Sequence, residues 1–388
     1  MTAEYISRGV SPTKDDVHNA IKNQEKGVFP GAFCKVTDDF LGDPKYCSIM
    51  HADGAGTKAI VAYMSYKETG SPKVFCGIAQ DSTVMNIDDM ACVGAVDKFL
   101  LSNTIGRNAH RIDGSVLSNI IEGYSNFAQK LSQYGIDILL TGGETADVGD
   151  MVSTLIADST AFARLERDRV VNCQNISQGD VIVGLSSTGK AVYEEAHNSG
   201  MGSNGLTAAR HLLLSHYYAE KYPETFSNTI PKEKVYCGKH RLEDKIPESG
   251  QTVGEALLSP TRTYLPIVKE VLEKHFHSVS GIIHCTGGGQ TKCGFFGEGL
   301  HYVKDNLFAT PALFKLIQSE SKMQINEMYQ VFNMGHRLEV YCKKEAANAI
   351  IGIAQSFGID AKIVGEVFKN HDRKNKTTIV HDKKELHY

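Results

Sequence analysis

The sequence predicts an α/β (α+β) fold divided into two α/β domains, residues 1–172 and 173–388. Two observations carry this. In both halves, strand-like runs empty into glycine-rich turns and then helices, at 46–62 and 136–147 and again at 181–190 and 284–289. Between the halves, Asn, Gln, Ser and Gly gather at 172–179, the composition of a boundary, and 388 residues suffice for two to three ordinary domains with buried cores.

Composition narrows the function classes. Hydrophobic residues make up 41% and charged residues 22%, as in an ordinary globular protein. The net charge of -4 supplies no global positive field for nucleic acid or an anionic membrane, so any phosphate site must be built locally. The first residues lack the apolar core of a signal peptide, and no apolar run approaches the roughly 20 residues of a membrane span. The 9 cysteines are scattered without a C-x-x-C, which predicts reduced thiols and a cytoplasmic location.

Residues 1–45 alternate polar stretches with turns such as Phe29-Pro30-Gly31 and read as an arm across a neighbouring surface. The strand-like run 46–50 then leads into His51-Ala52-Asp53-Gly54-Ala55-Gly56-Thr57-Lys58. Gly54 and Gly56 let backbone N–H groups approach an anion closely, Thr57 adds a hydroxyl and Lys58 a point charge. Asp53 offers the hard oxygen that Mg2+ prefers. A helix over 79–93 follows, with Val84, Ile87, Ala91 and Ala95 as its buried stripe. Its acids Asp81 and Asp88 share a face about 10.5 Å apart along the axis, which suits two ions or two points on a polyphosphate. Asp89 is turned from Asp88 by about 100°.

Asp113 or Ser115 caps the next helix, which runs to about 134 with Val116, Ile120, Tyr124, Phe127 and Leu131 inward and Gly135 at its close. A short buried strand over 136–140 empties into a turn at 141–147, where Gly142, Gly143, Glu144 and Asp147 repeat the glycine-and-acid logic of 51–58. Strand-like runs bearing Arg164, Arg167 and Arg169 complete the first half.

The second half opens on Gly184-Leu-Ser-Ser-Thr-Gly189-Lys190, which fits G-x-x-x-x-G-K. Ala191 stands where a phosphate-binding loop needs Ser or Thr, so the match is a false one. Ser203 or Asn204 caps a helix over 206–215, whose free N–H groups suit a phosphate. Residues 216–256 are polar and Pro-interrupted and read as a surface excursion, and 260–274 reads as helix. His284-Cys285-Thr286-Gly287-Gly288-Gly289 is another strand-to-glycine turn. A βαβ-like, ferredoxin-like end follows, with strands at 337–342, 361–367 and 377–380 and a helix from Glu345.

These stretches together resemble the phosphoribosylformylglycinamidine cyclo-ligase (aminoimidazole ribonucleotide synthetase) family nearly end to end. The family's Tyr-x-x-x-Gly-Val looks like Tyr5 to Val10, its Asp-Gly-Val-Gly-Thr-Lys like 53–58, and its Gly-Gly-Glu-Thr-Ala-Glu like 142–147. Its acid-bearing helix aligns with 81–89. Ser203-Asn204-Gly205, Pro260-Thr261-Arg262, Thr286 to Gly289, and Met328-Tyr329 through Asn333-x-Gly335 fall in the family's order.

The resemblance implies an N-terminal domain whose sheet pairs across a homodimer, with ATP and Mg2+ beside the cleft between domains. It implies ATP-driven closure of formylglycinamidine ribonucleotide to aminoimidazole ribonucleotide in purine synthesis. Asp53, Asp81, Asp89 and Glu144 are then metal ligands and Lys58 a phosphate partner. Gly54, Gly56, Thr57, Gly142, Gly143 and Asp147 line the nucleotide. Ser203, Asn204, Thr286, Gly287, Gly288, Gly289 and Asn333 take the ribonucleotide.

The chain departs from the family at Asp88 (usually Asn), Gly202 (usually His), Gln290-Thr291-Lys292, and His336-Arg337 (usually a small apolar residue and Gly). All but the first lie in the second half, on the acceptor side. Rival readings are therefore another ATP-dependent enzyme of this fold, such as thiamine-monophosphate kinase, selenophosphate synthetase or the carbamoyl-dehydrating hydrogenase maturation factor, and a non-catalytic ATP-binding subunit.

Overall fold

A computed structural model describes residues 7–9, 15–321 and 323–388. Tyr5 and Val10 of the first motif lie outside the described residues. The first half contains α1 (Asp15–Ile21), β1 (Thr37–Asp38), β2 (Tyr46–Gly54), α2 (Lys58–Thr69), α3 (Phe75–Ala91), β3 (Lys98–Arg107), α4 (Gly114–Ser132), β4 (Asp137–Asp147) and β5 (Leu155–Glu166). The strands form one sheet in the order β1-β2-β5-β3-β4, with only the β3–β4 pair parallel.

The helices cover one face of this sheet. Asp113 caps α4 as expected, accepting from the backbone N–H groups of Ser115 and Val116, and the predicted stripe from Val116 to Leu131 is buried. Gly123 lets α4 lie against α3, because a Cβ there would stand 2.7 Å from the Cys76 carbonyl oxygen. Helix α3 starts four residues earlier than its apolar stripe predicts. It is buried on nearly every side, acids included, because the second half of the chain closes over its remaining face.

The strand predicted at 136–140 is neither short nor buried. β4 runs on through Gly142 and Gly143 to Asp147 as an exposed edge strand, with Gly142 at φ +89° where the ladder to β3 shifts register. Strand β2 likewise continues through His51 to Gly54, leaving Ala55, Gly56 and Thr57 as the only turn before Lys58 opens α2.

The second half holds β6 (Val181–Ser186), β7 (Thr188–Gly189), β8 (Asn198–Ser199), α5 (Leu206–Leu213), α6 (Tyr217–Lys221), α7 (Val253–Leu257), α8 (Leu265–His275), β9 (Val279–His284) and β10 (Leu300–Lys304). It continues with α9 (Ala312–Ser321), α10 (Ile325–Val331), β11 (His336–Cys342), α11 (Lys344–Ser356), β12 (Ala361–Lys369), β13 (Lys376–His381) and β14 (Lys384–His387). Its main sheet runs β14-β13-β10-β12-β6-β11-β9. Gly184 lies inside the fully buried β6, and no helix opens at Lys190, so the G-x-x-x-x-G-K match forms no phosphate loop.

Two expectations about the course of the chain in this half fail. Residues 216–256 are not a surface excursion: Tyr218, Tyr222, Val235, Tyr236, Leu242, Ile246 and Val253 are buried in a cluster with α5, α9 and α10. Polar spacing hid them because the segment is mostly loop, in which apolar residues recur without a helical or strand period. The helix predicted from 260 begins only at Leu265, since 261–264 is drawn out along α3.

Candidate active site

The glycine-and-acid motifs of the first half meet across the sheet. Asp53 pairs with Ser159, Ser159 with Asn103, and Asn103 with Gly143. The next row is Gly54, Asp158, Thr104 and Glu144. Because side chains alternate between faces, the first row looks toward α3 and the second toward the open face. Asp53 and Glu144 are exposed at the same end of the sheet, and Asp147 lies three residues beyond Glu144, bonded to Arg107 at 2.7 Å.

Asp158 is the acid that sequence reading missed. It sits in an alternating strand without a glycine or a second acid beside it, so no local signal marked it. A Cβ on Gly54 would fall 1.7 Å from Asp158 Oδ1, so glycine is what lets this carboxylate fold over the end of β2. Burial, then the charge of Asp53, raises the Asp158 carboxyl above its usual range. Asp53 leaves the sheet toward α3 while Asp158 and Glu144 leave it on the open face, so these three carboxylates do not converge on one point. Asp53 alone offers an exposed hard oxygen on the α3 side.

The acids of α3 do something else. Lys58 Nζ is 0% exposed and donates to Asp81 Oδ1 at 2.7 Å and to the Ser259 carbonyl at 2.5 Å. Asp81 Oδ1 also accepts from the Thr261 N–H and hydroxyl. Two turns on, Asp88 accepts from the Thr263 hydroxyl and the Tyr264 N–H. The shared face of Asp81 and Asp88 was expected to serve two ions or two points on a polyphosphate. It grips two points on a polypeptide, and neither Asp81 nor Lys58 reaches solvent. Burial pulls the Lys58 ammonium down and pushes the Asp88 carboxyl up to about 7.

Asp89, turned away from that face, lies at the junction of the two halves. His284 Nδ1 lies 2.7 Å from Asp89 Oδ1, and His51 Nε2 lies 3.5 Å from Asp89 Oδ2. Arg337 Nε donates to His284 Nε2 at 3.1 Å, which makes Nδ1 the protonated nitrogen that donates to Asp89. Burial lowers His284 to about 4 and so keeps it neutral. Burial is the largest influence on Asp89 and opposes its ionisation, but the His284 bond and the charges around it, Lys292 and His51 among them, together outweigh burial and hold that carboxyl below its usual range. Both histidines stood inside the motifs read from sequence, and their role as partners of Asp89 follows only from the fold.

On the far side, a Cβ on Gly287 would stand 3.8 Å from Asn204 Nδ2, and Lys292 Nζ donates to Thr286 Oγ1 at 2.8 Å. Thr207 at the start of α5 meets Thr57 Oγ1 at 2.9 Å, joining this lip to the first motif. Neither Ser203 nor Asn204 caps α5: Gly205 at φ +78° occupies the cap without a side-chain bond. Asn333 is present but fully committed, accepting from Ser187 and Gly335 and donating to the Gly200 carbonyl. Gly288 and Gly289 are both left-handed, and a Cβ on Gly289 would stand 2.4 Å from the Tyr329 carbonyl oxygen.

Among the described residues, Cys285, His336 and Glu339 bring ligand atoms within 4.8 Å of one another. Lys304 Nζ, however, stands 2.5 Å from Glu339 Oε1 and occupies the cation's place. Two departures noted in the sequence belong to this network, His336 through Glu339 and Gln290 through Lys304.

The description "AIR synthase related protein, N-terminal domain" matches residues 34–164, and its C-terminal counterpart matches 177–374. The chain belongs to the AIR synthase related family. Within this family, the phosphoribosylformylglycinamidine cyclo-ligase of Methanocaldococcus jannaschii is 30% identical over 323 residues, covering 83% of this chain and 78% of that protein. The enzyme of that name from Methanococcus vannielii is 30% identical over 365 residues, covering 93% and 87%.

Among solved structures, T. maritima PurL complexed with FGAR superposes with a TM-score of 0.53 at 14% identity, over 89% of this chain and 45% of that one. The HypE-HypF complex does so with a TM-score of 0.53 at 12% identity, over 97% and 98%. At these identities the likeness is one of fold. No helix among the described residues is long and apolar enough to cross a membrane, and the 9 cysteines are free.

Proposed function

We propose that this AIR synthase related chain is an ATP-dependent cyclo-ligase, closing formylglycinamidine ribonucleotide to aminoimidazole ribonucleotide in purine synthesis with release of ADP and phosphate. The carrying observation is the alignment of Asp53-Gly54 with Gly143-Glu144 across four strands, at the sheet end from which Thr57 bonds Thr207 at the start of α5. The name shared by relatives 30% identical over most of the chain supports the reaction.

The residues suit the chemistry. An amide oxygen is a poor leaving group until ATP phosphorylates it, after which the substrate's own amidine nitrogen displaces phosphate. The nucleophile belongs to the substrate, so the protein's work is positioning and charge neutralisation. Asp53 would offer Mg2+ a carboxylate oxygen, with the nucleotide's own phosphate oxygens and water completing the shell of an ion that screens the phosphates. Asp89, aimed by His284, would meet the reacting centre from the α3 side. Gly54, Gly56, Thr57, Gly142, Gly143 and Asp147 would line the nucleotide. Ser203, Asn204 and Thr286 to Gly289 would receive the ribonucleotide. Lys58 and Asp81 act at one remove, by fixing 259–261.

We further take 1–172 as the nucleotide-binding and dimerisation domain, 173–388 as the acceptor domain, and the cytoplasm as the location. Homodimerisation would use the open sheet face, where Met50, Phe162, Leu100 and Leu139 form one cross-strand apolar row. Met50 is 71% and Leu139 63% exposed, an uncommon concentration of bare apolar surface. Incubation with ATP, Mg2+ and the formylglycinamidine tests the reaction. Imidazole is the expected product. ATP hydrolysis without imidazole would indicate a different acceptor, and ATP binding without turnover a regulatory subunit.

A further inference from the structure

Arg337 is 2% exposed on β11, yet its guanidinium is incompletely used. Nε donates to His284 and Nη2 to the Arg262 carbonyl, while Nη1 is buried with no hydrogen-bond partner. Arg262, equally buried, shows the contrast: it pairs with both oxygens of Glu194 and donates to the carbonyls of Ser186, Thr188 and Gly189. Arg337 has no such acid. Asp88, which feels its charge, spends both oxygens on Thr263 and Tyr264. A guanidinium stays charged at any working pH, and a buried N–H without an acceptor is costly.

Gly202 lies beside Nη1. A Cβ on Gly202 would stand 3.3 Å from Nη1, so any side chain there would crowd it. The next residue, Ser203, also has a buried hydroxyl without a partner. Ser203, Asn204, Gly287 and Gly288 are half-buried and form the lip in front. Two uncommitted donors, one carrying a fixed charge with no counter-charge, therefore flank a glycine directly behind the acceptor lip. They match an anionic oxygen, and the anionic oxygens available to the proposed reaction are phosphoryl ones.

We propose that Arg337 Nη1 and Ser203 Oγ bind a phosphoryl oxygen, with Gly202 left bare to admit it. This deepens the cyclo-ligase reading and rests on it for the identity of the ligand. The His284 bond sets the plane of the guanidinium, so the same chain of bonds that orients Asp89 aims Nη1 at the lip.

The test is equilibrium binding of ribose 5-phosphate, inorganic phosphate with ADP, and ATP to the full chain and to Gly202→Ala, Ser203→Ala and Arg337→Lys. Affinity for one of the phosphates is expected to fall about 10- to 100-fold in Gly202→Ala and Arg337→Lys, with the others retained. Loss of ribose 5-phosphate identifies the ribonucleotide's phosphate as the occupant, and loss of phosphate with ADP or of ATP identifies the transferred group. Equal binding by parent and variants, or no phosphate binding by the parent, overturns the site. If Arg337→Lys does not fold, Gly202→Ala and Ser203→Ala decide, since Gly202 is not in a left-handed conformation. In turnover, the site predicts a raised KM for the ribonucleotide, or for ATP, with kcat less affected. Phosphate binding without imidazole formation would sink the reaction and spare the site. Imidazole formation with unchanged KM values in these variants would do the reverse.

Discussion

At the scale of single residues, Lys58, Asp81 and Asp88 separate roles that their spacing could not. A buried ion pair deprived of one partner leaves a stranded charge, so Lys58→Met should cost about 3–5 kcal/mol in chemical denaturation. Adding Asp81→Asn should recover part of that loss. Asp88→Asn should be mild, within about 1 kcal/mol and with turnover kept, because the Asn oxygen can accept from Tyr264 N–H while its amide donates to Thr263. A larger loss would mean that the charge of Asp88 is itself required. Asp53 is exposed, and its Oδ1 accepts from the adjacent Gly54 N–H. Asp53→Asn should therefore leave the melting temperature unchanged while lowering turnover on the order of 10²-fold. A near-normal rate would remove it from the site.

At the scale of elements, glycines divide by what surrounds them. Gly289→Ala meets both a left-handed backbone and the Tyr329 carbonyl, and should cost on the order of 3 kcal/mol. Gly142→Ala has a left-handed backbone but open space around its Cβ, and about 1 kcal/mol is expected. Paired melting curves distinguish them. The same elements show what was legible in the sequence. The amphipathic α4, with its Asp113 cap and five-residue stripe, could be read because a helix facing solvent on one side writes its period into the chain. Helix α3 and strand β4 could not be bounded, one because burial on all sides erases the period and the other because an edge strand has no inward face to repeat. Asp53 and Glu144 were found through their glycines. Asp158, His284 and Arg337 were not, because what joins them to the site is strand register and contacts across more than fifty residues.

At the scale of the whole molecule, the open sheet face and the α3 clamp make different demands. Light scattering at micromolar protein should give near twice 42.5 kDa, and Leu139→Glu, placing a charge in the apolar row, should shift the mass toward that of one chain. A single-chain mass for the unmodified protein would contradict the dimer. The clamp bears on how the chain is made. Asp81 and the Thr261 that covers it are separated by 180 residues. At ribosomal rates of about 5–20 residues per second, α3 emerges roughly 10–40 s before its cover is synthesised. An apolar surface left bare for that long would recruit chaperones or other nascent chains. Lys58, Asp81 and Asp88 stay hydrated through the wait and are desolvated only when 259–264 arrives, so a seam that looks costly in the finished protein keeps the half-made one in solution.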